Sequence, residues 1–188
     1  MATVSRLMTG EEYLALPEDD GVHRELIRGE LREYPMTTRG APHCRTTSRF
    51  SHHLLAWLDA QPDPHGDVMD GEVRVRITRD PDTIVGIDAI YIDPELAART
   101  EPDEGTVDGV PTLVVEVLSP SDTQEDIAEK VREYLAAGVP LILLADPVFR
   151  TIMLHRPGQA PVLFNDRQEL TLEPLLPGFR VAVAKFFR

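Results

Sequence analysis

Two of the most apolar runs in the sequence each enclose a single acid. Glu116 lies in the middle of the run LVVEVL, and Asp88 has a similar setting in IVGIDAIYI. Runs rich in β-branched and aliphatic residues are typical of central, buried strands. An ionised carboxylate that is buried without a partner is strongly destabilising, so each acid must be paired, protonated or bound to a metal. The fold therefore has to bring a partner to both strands.

Helix signals occur in three other segments. Thr9 stands three residues before Glu12, which is the spacing of a capping box. Apolar residues recur at helical spacing from Phe50 to Leu58. They recur again in residues 123–138, where Ile127, Val131 and the Tyr134/Leu135 pair share one face and Gly138 supplies a stop signal. We therefore expect a short first helix and two longer ones.

Strand signals surround these helices. Residues 22–35 predict a tight hairpin or bent strand pair about Gly29, and residues 139–146 predict another buried strand. In residues 71–80 valine and isoleucine alternate with Arg74 and Arg76, which predicts a strand with one wet face. Short antiparallel strands are expected from residue 149 to the C-terminus.

The order of these elements predicts a mixed α/β (α+β) fold. A central mixed β-sheet would be flanked by helices and extended by peripheral antiparallel strands. The connection from the Glu116 strand through a helix to the strand at Leu141 is long enough for a parallel crossover. We expect residues 1–188 to form a single domain, with the site at the sheet end that faces the crossover helix.

Composition narrows the class of protein. The formal net charge of −13 argues against a protein that coats nucleic acid with a basic surface. The single cysteine, Cys44, excludes an intrachain disulfide and a multi-cysteine zinc site. No apolar run approaches the length of a membrane span, and the N-terminal residues do not resemble a secretory signal. We expect a cytoplasmic protein without membrane association.

Asp88 and Glu116 together suggest a metal site. On neighbouring strands their Cβ atoms could lie about 4.5–5.5 Å apart, where two negative charges would repel unless a divalent cation sat between them. Oxygen ligands in small number suit Mg²⁺ or Mn²⁺, and such an ion supports phosphodiester hydrolysis. For either acid alone, capping a turn or pairing with arginine is the more ordinary interpretation.

Other polar residues could complete this site. Lys130 borders the apolar stripe of its helix and could orient a water or balance charge, although an exposed ion pair with Asp126 is the simple alternative. Glu25 could add a carboxylate, although sequence alone favours pairing with a neighbouring arginine, Arg24 or Arg28. His43 could contact a phosphate or simply open the second helix.

The segments HRELIRGEL, APHC, GIDAIYID, PTLVVEVLSPSD and EKVREYLAAGVP occur in this order. The series resembles the Uma-type family, a group described as putative restriction endonucleases within the PD-(D/E)XK nuclease superfamily. The resemblance runs from about Met8 to beyond Arg156. It implies a restriction-endonuclease-like core.

The resemblance also implies roles for individual residues. Asp88 and Glu116 would be the metal ligands. The lysine that usually follows the glutamate by two residues is replaced by Leu118, and Lys130 on the next helix is its match. Glu25 would be a supporting acid. The sequence departs from the family pattern at Ile87, where a proline usually precedes the first acid.

These observations favour a Mg²⁺- or Mn²⁺-dependent endonuclease that hydrolyses phosphodiester bonds of nucleic acid, with DNA the expected substrate. A homodimer is expected because double-strand cleavage needs two sites. The main alternative is a catalytically silent protein that uses the nuclease fold for binding or assembly, which the acidic charge favours. A hydrolase that uses Cys44 has no supporting motif.

Overall fold

The computed structural model describes residues 6–17, 21–36, 38–100, 105–120 and 122–188. Its helices are α1 (Gly10–Leu14), α2 (Ala41–Leu58), α3 (Pro94–Arg99) and α4 (Gln124–Ala137), and a 3₁₀ helix spans Val183–Phe187. Its strands are β1 (Val22–Ile27), β2 (Glu30–Pro35), β3 (Asp67–Thr78), β4 (Thr83–Ile92), β5 (Val107–Asp108), β6 (Leu113–Val117), β7 (Leu141–Asp146), β8 (Thr151–His155), β9 (Val162–Phe164), β10 (Glu169–Thr171) and β11 (Arg180–Ala182).

The first nine strands form one mixed sheet in the order β2-β1-β4-β6-β7-β8-β9, and β3 pairs with both β4 and β5. Strand β4 runs antiparallel to β6, whereas β6 and β7 are parallel and joined by α4. The remaining ladders of the path are antiparallel, and β10 and β11 form a separate hairpin. The predicted mixed sheet and its parallel crossover are therefore confirmed.

Helices cover both faces of this sheet. On one face, α2 inserts Phe50, Leu54 and Leu58 into a core that also contains the odd-numbered side chains of β6. On the other face, Tyr134 of α4 joins a core with Val114 and the facing residues of β4 and β7. Because successive strand residues point to opposite faces, each strand of the crossover contributes to both cores.

The C-terminal segment differs in part from the prediction. The strand predicted here stops at Ala182, and residues 183–187 form the 3₁₀ helix. Val183 and Phe186 are both buried. A spacing of three residues returns side chains to the same side of a 3₁₀ helix but to opposite sides of a strand, so the helix buries both. Phe186 stacks on Phe50 with ring centroids 4.2 Å apart.

The wet face predicted for β3 is wrong at Arg76, whose side chain is 5% exposed. Its guanidinium lies 3.1 Å from Glu11, 3.5 Å from Asp108 and 3.7 Å from Asp82. Helix α1 covers this face, and a Cβ added at Gly10 would stand only 2.5 Å from the Arg76 guanidinium. Alternation along a strand indicates two faces but cannot say what covers the second one.

After β4 the chain forms α3, and residues 101–104, which follow that helix, lie outside the described residues. In the described part of the chain, every helix is too short or too polar to cross a lipid bilayer.

The stacked aromatic pair predicts a large effect of one core substitution. We expect Phe186→Ala to lower the free energy of unfolding by about 3 kcal/mol, because it removes a fully buried ring and leaves a cavity against α2. Urea denaturation followed by circular dichroism measures this change. The matched control is Phe149→Ala, since Phe149 is 77% exposed and its loss should change stability by less than about 0.5 kcal/mol. Equal midpoints for the two variants would contradict the packing described here.

Candidate functional site

The pairing of β4 with β6 brings the two strand acids together. The last ladder pair is Ala89 opposite Val115, so the next position along the register places Asp88 opposite Glu116. Each acid is two residues from a side chain that faces the α4 core, Asp88 from Ile90 and Glu116 from Val114, and this spacing keeps side chains on one face of a strand. Both line the same small cavity, which has a volume of about 70 Å³.

One carboxylate oxygen of Asp88 accepts a backbone hydrogen bond where the pairing of β4 with β6 ends. Its Oδ2 accepts the backbone N–H of Val117 at 2.7 Å, and Nε2 of His43 lies 3.2 Å from the same oxygen. His43 Nε2 is buried but makes no well-aligned hydrogen bond. Among the described residues, no donor contacts Asp88 Oδ1. Asp88 is thus fixed by one oxygen, and the other is available to a ligand.

Glu116 divides its oxygens in a similar way. Its Oε1 accepts a hydrogen bond from the hydroxyl of Tyr134 and lies 3.4 Å from Nζ of Lys130. Within the described ranges, Oε2 has no protein donor. Lys130 and Tyr134 are four residues apart on α4 and therefore stand one turn apart on the same face of the helix.

Lys130 is held by more than one partner. Its Nζ lies 3.1 Å from Oε1 of Glu25 and 3.4 Å from the backbone oxygen of Gly86. Helix α4 begins with a capping box formed by Thr123 and Asp126. The simple alternative, an ion pair between Lys130 and Asp126, does not occur in the part of the chain that the structure describes. The ammonium instead points to the sheet end.

Glu25 enters the site from β1. Its side chain is 3% exposed, and it pairs with Lys130 and with His23, whose Nε2 is 3.6 Å from Oε1 of Glu25. Arg28, one of the partners that the sequence favoured for Glu25, instead pairs with Glu133 at 2.9 Å. The structure thus brings Asp88, Glu116, Lys130 and Glu25 to one place.

Burial sets the protonation of this group. It raises the pKa of Glu116 to about 7, with repulsion from Asp88 acting in the same direction and Lys130 and the Tyr134 hydroxyl opposing it. Burial acts against the charged form of Lys130 as well, but the attraction of Glu116 and Glu25 outweighs it and raises the Lys130 pKa. For Glu25, burial is outweighed by Lys130 and His23, and the pKa is lowered. Near neutral pH the cluster therefore holds a charged lysine, an ionised Glu25 and a Glu116 close to its midpoint.

The carboxylate oxygens that have no donor among the described residues are suited to a hard divalent cation. Asp88 Oδ1 and Glu116 Oε2 offer two carboxylate ligands from opposed strands, which fits Mg²⁺ with its preference for oxygen and its retained waters. No group of three or more His, Cys, Asp or Glu side chains that could hold a metal occurs in the described part of the chain. Water and substrate oxygens would have to supply the remaining ligands.

Sequence reasoning missed three contributions. Tyr134 appeared only as an apolar stripe residue, although its spacing of four from Lys130 was a usable signal. The approach of His43 to Asp88 joins α2 to β4 and has no local signal. Arg39, which lines the cavity from the segment before α2, likewise depends on the tertiary fold.

Cys44 lies outside this arrangement. It is exposed, and its sulfur contacts the backbone oxygen of Arg39 at 3.8 Å. No base is positioned beside its thiol among the described residues. The geometry gives no support to a cysteine nucleophile.

Comparison with known proteins agrees with this arrangement of strands and helices. Residues 10–184 match the Uma2 family, described as "Putative restriction endonuclease". The chain is similar to a solved structure of a "putative nuclease belonging to DUF820" from Anabaena variabilis, with a TM-score of 0.79 and 21% identity over 96% of this chain and 97% of that one. At this level of identity the likeness concerns the fold. A comparison with curated proteins finds no match.

The buried position of Glu116 predicts an unusual titration. In metal-free protein we expect its carboxyl carbon to titrate near pH 7 in ¹³C NMR, because burial disfavours the charged form. Glu116→Gln should remove this signal, and Tyr134→Phe should raise the pKa further, because the hydroxyl hydrogen bond favours the carboxylate. A Glu116 signal that titrates near 4.5, the ordinary value, would contradict the buried environment.

The same shift predicts how stability changes with pH. The folded state binds the Glu116 proton more tightly than the unfolded state, so this group lowers the free energy of unfolding as pH rises from about 4.5 to about 7. Above that range its contribution is constant. The decrease should be absent in Glu116→Gln, which denaturant titrations at several pH values would measure. Parallel curves for the two proteins would argue against it.

Proposed function

Because this chain belongs to the Uma2 family, we propose that it is a Mg²⁺- or Mn²⁺-dependent endonuclease that hydrolyses phosphodiester bonds of DNA. The observation that carries the proposal is the pair of oxygens, Asp88 Oδ1 and Glu116 Oε2, that have no protein donor among the described residues and belong to the acids lining one cavity. Lys130 lines the same cavity, with its Nζ 3.4 Å from the other oxygen of Glu116.

Each residue has a distinct part in this proposal. Asp88 and Glu116 would hold the metal. When bound, the metal would polarise the phosphate and acidify a coordinated water. Lys130 would orient the attacking water and stabilise negative charge that develops on the phosphoryl oxygens. Glu25 would act as a positioning residue, since its Oε1 lies 3.1 Å from the ammonium of Lys130.

The relocated lysine does not weaken the proposal. The position two residues after Glu116 is Leu118, which lines the same cavity. Lys130 reaches this cavity from α4 instead, and its contacts with Glu25 and Gly86 fix the ammonium as firmly as a strand position would. The place of the charge matters to the reaction, and the element that supplies it does not.

The acidic charge of the chain can be reconciled with a polyanionic substrate. One or two divalent cations would offset the local acids, and Arg39 and Lys130 also line the cavity. A net charge of −13 still predicts weak association at a distance, so binding should depend strongly on the cation.

Cleavage of supercoiled plasmid tests the proposal. Wild-type protein should nick or linearise the plasmid when Mg²⁺ or Mn²⁺ is present, and EDTA should abolish this cleavage. Asp88→Asn and Glu116→Gln should lower the rate at least about 100-fold, because each removes a ligand charge, and Lys130→Met should do so by about 100-fold, because it removes transition-state stabilisation.

The chain offers a matched control, because its two lysines are Lys130 and Lys185. Lys185 lies in the C-terminal 3₁₀ helix, away from the cavity, so Lys185→Met should retain full activity. Full activity in Glu116→Gln would exclude the proposed centre. The same assay on single-stranded DNA and on RNA distinguishes the substrates.

Metal binding separates the enzyme from the silent alternative. Calorimetric titration of wild-type protein with Mn²⁺ should show binding that is lost in Asp88→Asn and retained in Lys185→Met. Binding of Mn²⁺ without cleavage of DNA or RNA would favour a nuclease fold used for binding or assembly. A protein that neither binds Mn²⁺ nor cleaves nucleic acid would refute the proposed metal centre.

We also propose that the active form is a homodimer, since a symmetric dimer would present one centre to each strand of a duplex. The strand β9 is compatible with self-association, because it ends the path of the main sheet and exposes Val162 and Leu163 by 45% and 54%. Light scattering of the purified protein measures the oligomeric state.

A further inference from the structure

A second, larger cavity adjoins the candidate centre. It has a volume of about 380 Å³ and lies between the β1–β2 hairpin and α4. Four residues, Arg39, Asp122, Asp126 and Lys130, line both cavities. A ligand in the larger space would therefore extend directly to the oxygens of Asp88 and Glu116. The catalytic roles proposed above place no part of the substrate in this larger cavity.

The hairpin provides an aromatic wall for this cavity. His23 and Tyr34 are paired across β1 and β2, with ring centroids 6.1 Å apart. Strand alternation puts His23, Glu25 and Ile27 on one face, and all three line the cavity together with Tyr34. Met36, which is 55% exposed, continues the apolar surface. Flat rings beside exposed apolar surface are what a nucleobase needs for stacking.

The charges in the cavity select the part of a nucleotide that can enter. Two cations, Arg39 and Lys130, line it along with the carboxylates Glu25, Glu72, Asp122, Asp126 and Glu129. A phosphate deep in this space would be repelled. A neutral base would not be, and an exocyclic amine could donate hydrogen bonds to these carboxylates. The chemistry thus suits adenine, cytosine or guanine better than thymine or uracil.

Arg39 stands where the two cavities meet. Its Nε and Nη2 both donate to Oε1 of Glu72, with the Nε bond at 3.0 Å. Among the described residues no acceptor contacts Nη1, so this group can donate to a ligand. A guanidinium that is fixed on one side and open on the other is well placed to bind a phosphate between the two spaces.

We propose that the larger cavity is a nucleotide subsite, in which the base next to the scissile phosphate stacks on Tyr34 while Arg39 binds the intervening phosphate. This inference rests on the proposed nuclease function. A base that stays paired in a duplex cannot enter this cavity. The nucleotide bound here therefore has to be single-stranded or turned out of the duplex.

Binding of fluorescent octanucleotides in Ca²⁺ buffer tests the subsite. Wild-type protein should bind octa-deoxyadenosine, and Tyr34→Ala should weaken that binding at least fivefold, since stacking on an aromatic ring contributes on this scale. Tyr34→Phe should bind within twofold of wild type because the ring is kept. Octathymidine should bind more weakly than octa-deoxyadenosine or octa-deoxycytidine.

An abasic octanucleotide is the control for structural damage. Tyr34→Ala and wild type should bind it equally, because it has phosphates but no bases to stack. Arg39→Met should weaken binding of both oligonucleotides, whereas the exposed Arg45→Met should change neither.

Equal binding of octa-deoxyadenosine by wild type and Tyr34→Ala would overturn the subsite. It would also be overturned if Tyr34→Ala weakened binding of the abasic octanucleotide by the same factor. Plasmid cleavage and Mn²⁺ binding by the same wild-type sample distinguish this failure from failure of the nuclease function. A protein that cleaves DNA but is indifferent to Tyr34 would refute the subsite alone.

Discussion

The burial of Glu116 is the constraint on which the rest of the site depends. This carboxyl group lies near the end of β6, where α4 brings the hydroxyl of Tyr134 and the ammonium of Lys130 to one of its oxygens. The helix must therefore follow β6 directly and cross back over it, which is what the parallel pairing of β6 and β7 requires. One energetic requirement thus links the position of an acid to the topology of the sheet.

Much of the fold could be predicted because local patterns carry it. The capping box of Thr9 and Glu12, the hairpin about Gly29 and the dense apolar runs each have a short-range physical cause, and the structure confirms them. Arg76 shows the limit of such patterns, since α1 covers a face that alternation alone marks as wet. The 3₁₀ helix that replaces the last predicted strand shows it too, because its spacing serves contacts with α2 that are distant in sequence.

The same limit applies to the site. Asp88 and Glu116 could be selected because an acid in an apolar strand is unusual by itself. The groups that surround these acids come from other elements: Lys130 and Tyr134 from α4, Glu25 from β1 and His43 from α2. Sequence spacing could nominate Lys130 but could not decide between the cavity and Asp126. The three-dimensional arrangement makes that distinction, and the roles of these residues in a reaction stay a prediction.

The placement of Lys130 and Tyr134 one turn apart on α4 has a mechanical consequence. Both groups contact the same oxygen of Glu116, so a rotation of this helix about its long axis would withdraw them in concert and leave the acid without either contact. Loss of one contact alone would instead need a rotamer change of that side chain. The packing of α4 on the sheet is thereby coupled to the charge state of Glu116.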